Sequence, residues 1–561
     1  MPEDRNAFRA GFLLIAACVL AQTLYAIRLN TLLYARTGPF YDSMSYLHHY
    51  AKVLTVSRDQ GIPAGLRLAF HSGTVSLPWI FTALCSPVLP LSRHGAIWFQ
   101  EIWMLALGWS VFFYLTRYRR LPAARSFCLT LPFLAFHAAF AANGGVSDFR
   151  MDLMLYLLLS NMAVWYLATY ETASWRPWAA SGLFLLLAIL NRATSPVYIA
   201  AMFGPLLAAR VLTGSRVERI RVVTRLLAFW GPPAVLGSLA LIANFEKLHY
   251  YYFVWGADPN ANLPLSRSLV HVLLAGSSIG IPLTLAAIPA LLLRLWDGRS
   301  VYGRRWRDWM RGLDWRLLWL GTAPVLMLVI RGAGLNPYAS MPAVFGGLLF
   351  CFLPLARDPA GSAFGRNVMA ALVVTACLAN AAHGYWMHRD PRGLAPTMPA
   401  LRRAVELMHD DTVASGRTLA RFATAHIVDF DALALRSVLI FEYGAAPRNN
   451  LLTYGGVAFR TEDTNAFGHA VPVRWERDVA GGNDDEKLAT LVSLASRDLD
   501  YIFLPDARSL DWLEKHRAFN FMNTKTRAMK TRLLATGQWE PLGEPLVASP
   551  NETVQLYRKR G

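Results

Sequence analysis

Runs of about 18 or more mostly apolar residues, divided by short polar loops, recur through the first two thirds of the chain. The last third is polar with mixed periodicity. A helix needs about 20 residues to cross the hydrocarbon core, so the apolar runs predict transmembrane helices. The first covers about Phe8 to Leu29. Clean runs follow near Ile97 to Tyr114, Phe127 to Ala142, Leu153 to Tyr170, Trp178 to Leu190 and Ala228 to Ala243. Others lie near Leu269 to Leu295, Ala343 to Leu355 and Val368 to Tyr385. About eleven spans are expected in all.

Between the first two runs the pattern changes. Pro39-Phe40-Tyr41-Asp42-Ser43-Met44-Ser45-Tyr46-Leu47-His48-His49-Tyr50 is too polar and too aromatic to cross a bilayer. It predicts an interfacial helix lying on the membrane surface and presenting Asp42 to a cavity. The apolar piece near Val75 to Leu89, broken by Pro78 and Pro87, predicts an interfacial or re-entrant segment. Such backbone is tolerated at membrane depth only where protein or a wet cavity covers it.

The tail, 387–561, predicts a small soluble α/β domain after a membrane domain over 1–386. Arg417 to Ile427 and Ala432 to Ile440 show apolar periodicity. Tyr501-Ile502-Phe503-Leu504-Pro505 reads as a buried strand and Val554-Gln555-Leu556-Tyr557 as an edge strand. Gly455-Gly456 and Gly481-Gly482 mark turns.

Composition and charge set the orientation. Of 561 residues, 54% are hydrophobic and 16% charged, below the soluble average of about 25% charged. The net charge of +18 sits in short loops, such as Arg117, Arg119, Arg120 and Arg125, or Arg299, Arg304, Arg305, Arg307 and Arg311. Basic loops of this kind mark the cytoplasmic side, so nucleic acid is not the expected partner. Alternation from them puts the acidic and aromatic loops, and the tail, outside; in a bacterium this is the periplasmic side of the inner membrane. The five cysteines show no C-x-x-C spacing and suggest neither a zinc site nor a disulfide framework.

The candidate chemistry gathers on that outer side. Asp42 opens one helix; Asp148 and Asp152, four apart, fall on one face if both belong to the helix that follows. Acids there also cap helices and complement the dipole. A carboxylate beside an apolar cavity can instead act as general base towards a hydroxyl. Arg192 ends an apolar run, where a charge is either a functional group or a snorkelling one. Arg150, Lys247, His249 and Arg331 stand at the same level and could hold a lipid phosphate. Tyr41, Tyr46, Tyr50, Tyr250, Tyr251 and Tyr252 suit an interfacial belt or sugar stacking. His48, His49 and His71 are too few and too poorly spaced for a metal cage.

This pattern resembles the GT-C superfamily of membrane glycosyltransferases, in particular the family 39 group of dolichyl-phosphate-mannose and aminoarabinose transferases. The family's Y-D-E-x-x-Y motif in the first outer loop reads here Tyr41-Asp42-Ser43-Met44-Ser45-Tyr46, with Ser43 in place of the second acid. Its second acidic position, before an apolar helix, matches Arg150-Met151-Asp152-Leu153-Met154-Leu155. Asn336-Pro337-Tyr338 to Pro342 is similar to its later R-Y-x-x-P-x-x-P region, with the arginine displaced. The H-P-P-L segment survives only loosely from His71 to Pro78, and Glu101 stands near the place of a common basic residue.

The resemblance implies transfer of a sugar from a polyprenyl-phosphate donor to an envelope glycan, lipid or protein acceptor, with inversion. Asp42 would be the general base, Asp152 and Asp148 would orient substrate, and Arg192 with neighbouring cations would steady the departing phosphate. Tyr41, Tyr46 and Tyr338 would line the substrate site. Some members use a divalent cation and others do not; the resemblance leaves a divalent cation open here and singles out no ligands for it. The rival readings are a transporter or flippase of lipid-linked sugars, a lipid-glycan polymerase or ligase, and a non-enzymatic envelope scaffold. No repeated halves or matched broken helices favour the transporter.

Overall fold

The computed structural model describes residues 2–36, 41–71, 77–141, 145–149, 151–249, 279–289, 314–331, 341–352, 363–388, 397–424, 430, 432–448, 451–461, 484–515, 520–550 and 552–560. The chain forms two compact units. One comprises Met1–Leu29, Arg67–Phe81 and Ala96–Arg389; the other comprises Asn30–Leu66, Thr82–Gly95 and Asp390–Gly561.

The first unit is built from apolar helices. Its centre is α7 (Met151–Glu171), a helix with no polar face, nearly every residue of which is buried. A helix apolar all round belongs inside a bundle. Its near neighbours are α8 (Arg176–Asn191), the helix Met341–Phe352 and the π turn over Tyr114–Tyr118, which extends α5 (Arg93–Phe113). Ser110 of α5 donates to Asn161 Oδ1 at 2.8 Å and accepts from Trp165 Nε1 at 3.0 Å. This short ladder supplies partners for polar groups that hydrocarbon cannot solvate. The start of α1 (Pro2–Arg36) lies along α5, with Phe12 edge-on to Phe112 and tilted against Trp109.

Among the described residues four helices are long and apolar enough to cross a membrane: Arg5–Arg36, Arg93–Tyr118, Met151–Glu171 and Ser195–Thr213. A fifth arises if α10 (Arg216–Phe229) and α11 (Gly231–Ile242), bent by 41° at Trp230, count as one. Gly231-Pro232-Pro233 accounts for the bend, since proline cannot continue the hydrogen-bond ladder of the helix before it. The run expected over Leu269 to Leu295 lies largely outside the described residues. The chain is an integral membrane protein.

One expected span is not continuous. Phe127 to Ala142 folds as the end of α6 (Ala123–Thr130) followed by 3-10 turns over Leu131–Phe133 and His137–Phe140. Pro132 removes a donor and starts the break.

The second unit carries a mixed sheet, ordered β2-β3-β4-β1-β5-β8-β6, with β7 also paired to β8. Its strands are β1 (Leu419–Thr424), β2 (Pro447–Arg448), β3 (Leu451–Tyr454), β4 (Val457–Thr461), β5 (Tyr501–Pro505), β6 (Trp539–Pro541), β7 (Leu546–Ser549) and β8 (Glu552–Lys559). Pairing is parallel across β4, β1 and β5 and antiparallel elsewhere. The strand expected at Tyr501-Ile502-Phe503-Leu504-Pro505 is buried on both faces. Tyr501 and Phe503 join a core with Leu401, Val405, Leu435 and Val438, while Ile502 and Leu504 join another with Leu491, Leu494 and Leu533. The unit is therefore a three-layer α/β/α sandwich, as the two-residue period of a strand requires. Gly455 and Gly456 make the β3–β4 turn, both with positive φ.

Two expectations in this unit are corrected. Val554 to Tyr557 is not an edge strand: β8 pairs with β5 on one side and with β6 and β7 on the other. The segment beginning at Tyr41 is helical, α2 (Tyr41–Gln60), but its apolar side faces protein. Leu47, Tyr50, Ala51 and Leu54, spaced as one helix face, are fully buried, and Ala51 belongs to the core formed with Leu435 and Val438. Tyr50 is thus no belt residue; its hydroxyl donates to the Pro90 carbonyl at 2.5 Å.

Candidate active site

The α7 and α8 helices are joined by four residues, 172–175, so they run antiparallel and the end of α8 returns to the start of α7. This brings two of the expected residues together. Asp152 is the second residue of α7, where the helix dipole favours an acid. Arg192 immediately follows α8, on extended backbone, with its N–H bonded to the Ala188 carbonyl. Arg192 Nη1 and Asp152 Oδ1 form an ion pair. The carboxylate is 7% exposed and the guanidinium 25%, so the pair opens to its surroundings through the arginine. The corner is tightened by Ser195, whose N–H donates to the Arg192 carbonyl at 2.9 Å, and Pro196 starts the next helix, α9 (Ser195–Thr213).

Asp148 is buried but lies outside α7. The helix begins at Met151, so Asp148 belongs to the preceding turn over 145–149 and does not share a helix face with Asp152. Helix formation cannot reach back because the turn is held by its own bonds: Val146 N–H to the Ala139 carbonyl at 2.9 Å and Asp148 N–H to Gly145 at 3.1 Å. Gly145 is required there, since a Cβ would stand 2.2 Å from the Ala141 carbonyl oxygen. Phe149 anchors the turn between Trp79 and Phe99, at 6.0 and 6.1 Å between ring centroids.

Two buried amides that the sequence reading did not single out touch this segment. Gln100 on α5 donates to the Asp148 carbonyl at 2.9 Å, and Asn191 donates to the Met151 carbonyl at 3.2 Å. Both side chains are wholly buried. The available signal was a carboxamide inside or closing an apolar run.

The remaining expected residues fall as follows. Asp42 is the second residue of α2, the same position that Asp152 takes in α7, and Tyr41 is the first; the side chains of both lie outside the described residues. Tyr46 is half-buried on α2. Arg150 and Tyr338 lie outside the described residues. Lys247 falls within α12 (Phe245–His249) and Arg331 ends the helix Trp315–Arg331, again with undescribed side chains. His249 is exposed, 5.8 Å from the Phe245 ring. Among the described residues no group of three or more His, Cys, Asp or Glu is placed to hold a metal ion.

The chain has the GT-C glycosyltransferase fold. It superposes on ArnT from Cupriavidus metallidurans bound to undecaprenyl phosphate with a TM-score of 0.55 and 12% sequence identity, over 97% of each chain. It superposes on the Archaeoglobus fulgidus oligosaccharyltransferase tethered to an acceptor peptide with a TM-score of 0.50 and 10% identity, over 98% of this chain and 74% of that one. No protein-family model matches the sequence, and no curated protein does.

Proposed function

We propose that this protein transfers a sugar from a polyprenyl-phosphate donor to an envelope glycan, lipid or protein acceptor at the outer face of a bacterial inner membrane. The observation that carries this reading is the Asp152–Arg192 pair, a carboxylate and a guanidinium held side by side at the open end of the α7–α8 hairpin. It stands on a fold shared with a protein seen with undecaprenyl phosphate bound.

In this mechanism the acceptor hydroxyl attacks the anomeric carbon of the donor and gives its proton to the Asp42 carboxylate. The bond from that carbon to the phosphate oxygen breaks on the opposite face, and polyprenyl phosphate leaves with the electron pair. Inversion follows from the single displacement. Charge gathers on the departing phosphate, and a fixed guanidinium stabilises it. A guanidinium has five N–H donors in a planar fork, more than one carboxylate accepts, so Arg192 can be oriented by Asp152 while serving the phosphate. Asp148 would help to orient the acceptor or donor. Arg150, Lys247 and Arg331 would supplement Arg192, and Tyr41, Tyr46, His249 and Tyr338 would contact sugar or acceptor. The unit containing 390–561 would stand outside the membrane.

Purified protein incubated with candidate polyprenyl-phosphate sugars and membrane extract tests the reading. Free polyprenyl phosphate and a glycosylated acceptor are the expected products. Movement of intact donor across vesicle bilayers with no release of polyprenyl phosphate would contradict transfer and identify a flippase.

A further inference from the structure

We propose that Gln100 and Asn191 are positioning residues for the transfer reaction, acting as two buried clamps that fix the chain between Asp148 and Asp152. The proposal rests on the transferase reading of this site and adds two residues to it.

The two amides hold the peptide groups at either end of one short segment. The Asp148 carbonyl lies in the turn before α7, and a buried carbonyl is stabilised by a hydrogen-bond partner. Gln100, coming from α5, supplies that partner. The Met151 carbonyl belongs to the first residue of α7 and has a second lone pair to offer; Asn191, from the end of α8, takes it. Donors from two different helices therefore bracket the segment on which Asp148 and the first turn of α7 are mounted. Asn191 also stands one residue before Arg192, so a single corner sets both partners of the ion pair.

Asn191 is placed there at a cost. Its side chain is wholly buried, and its Oδ1 has no hydrogen-bond partner among the described residues. Leucine would fill a similar volume without burying an unsatisfied acceptor. What leucine lacks is the N–H to the Met151 carbonyl, which is the feature the proposal uses. Small displacements at a reacting centre lower rates steeply, by about a hundredfold for 1 Å, so such clamps bear on turnover more than on binding.

The test uses the full-length protein in detergent or nanodiscs with Gln100→Met and Asn191→Leu, each of which removes the donor and keeps the bulk. Should Asn191→Leu fail to fold, Asn191→Ser replaces it, being too short to reach Met151. Each variant is expected to lower kcat by about tenfold to a hundredfold. KM for the polyprenyl-phosphate sugar should stay close to wild type, while the melting temperature falls modestly because each change takes a donor from a buried carbonyl. Backbone amides over 145–155 should exchange hydrogen faster, and neither substitution should add a further loss to whatever turnover Asp152→Asn retains. Unchanged exchange over 145–155, or losses that multiply with Asp152→Asn, would overturn the clamp. The exchange readout needs no activity, so a wild-type protein that transfers nothing would refute the transferase reading and leave the clamp to be judged by exchange alone.

Discussion

Asp152, in the first turn of α7, is ion-paired with Arg192, the residue that follows the last turn of α8. The pair joins a helix start, where the dipole is positive, to a helix end, where it is negative, so each charge is favoured by its own helix before it meets the other. An antiparallel hairpin is the arrangement that makes both conditions hold at one place.

The first prediction separates the structural part of this pair from its chemistry. Asp152→Asn leaves a cation facing a neutral amide, and Arg192→Gln leaves a carboxylate buried without its partner. Each single change should lower stability by about 1–3 kcal/mol, the upper values being reduced because Arg192 is partly exposed. The double variant Asp152→Asn/Arg192→Gln should recover most of that in thermal unfolding, yet still fail to transfer sugar. Recovery of transfer along with stability would reduce the pair to a structural one.

A second prediction concerns the helices Trp315–Arg331 and Met341–Phe352, which pack closely. A Cβ on Gly346 would stand 2.2 Å from the Gly321 Cα, so the two backbones meet with no room for a side chain. Small residues permit such contact between membrane helices. Gly346→Ala should cost about 1–3 kcal/mol in unfolding measurements, because backbone must shift. Gly204→Ala in α9, where nothing lies within 4 Å, is the control and should be neutral or slightly stabilising.

The third prediction is a pH dependence of the unit containing 390–561. His48 on α2 is held well below its ordinary value of 6.5, first by burial and then by Arg436, His49 and Lys52. The folded unit therefore keeps His48 neutral, whereas the unfolded chain takes up a proton as pH falls below 6.5. Stability is full above that pH and declines beneath it, by up to about 1.4 kcal/mol per pH unit. Melting curves between pH 7 and pH 5 should show the decline, and His48→Gln should flatten it. An equal slope in the variant would assign the effect to other groups.

How far the sequence carries can be read from single elements. The α7 and α8 helices are legible because uninterrupted apolar runs have few alternatives, and Tyr501 to Pro505 because a short wholly apolar run between polar loops suits a buried strand. Asp152 and Arg192 stood out individually, as an acid opening a helix and a cation closing one. Their contact was not visible, since it depends on which helix ends meet. Pro132 hid the break in the Phe127 to Ala142 run, because its neighbours keep the hydropathy high while the backbone turns. The burial of Tyr50 was hidden as well: a tyrosine at a membrane surface and one in a protein core look alike until the packing partners, here Pro90 and Gly95, are known. Gln100 and Asn191 are lone amides, and nothing in a sequence tells such a residue from a satisfied bystander.

The side of the membrane occupied by the tail gives a fourth prediction. A tag after Gly561 should react with impermeant reagents in intact cells whose outer membrane alone has been opened. Reaction only after the inner membrane is breached would put the tail in the cytoplasm and reverse the orientation read from the basic loops.

The most direct measurement of the central claim is sugar transfer by purified Asp42→Asn, compared with wild type at saturating polyprenyl-phosphate sugar. With Asp42 as the base that accepts the acceptor's proton, the variant should fold, insert and bind donor normally while its turnover falls by about 10²–10⁴-fold. Wild-type turnover by well-folded Asp42→Asn protein would contradict the account and leave Asp42 as a complement to the dipole of α2.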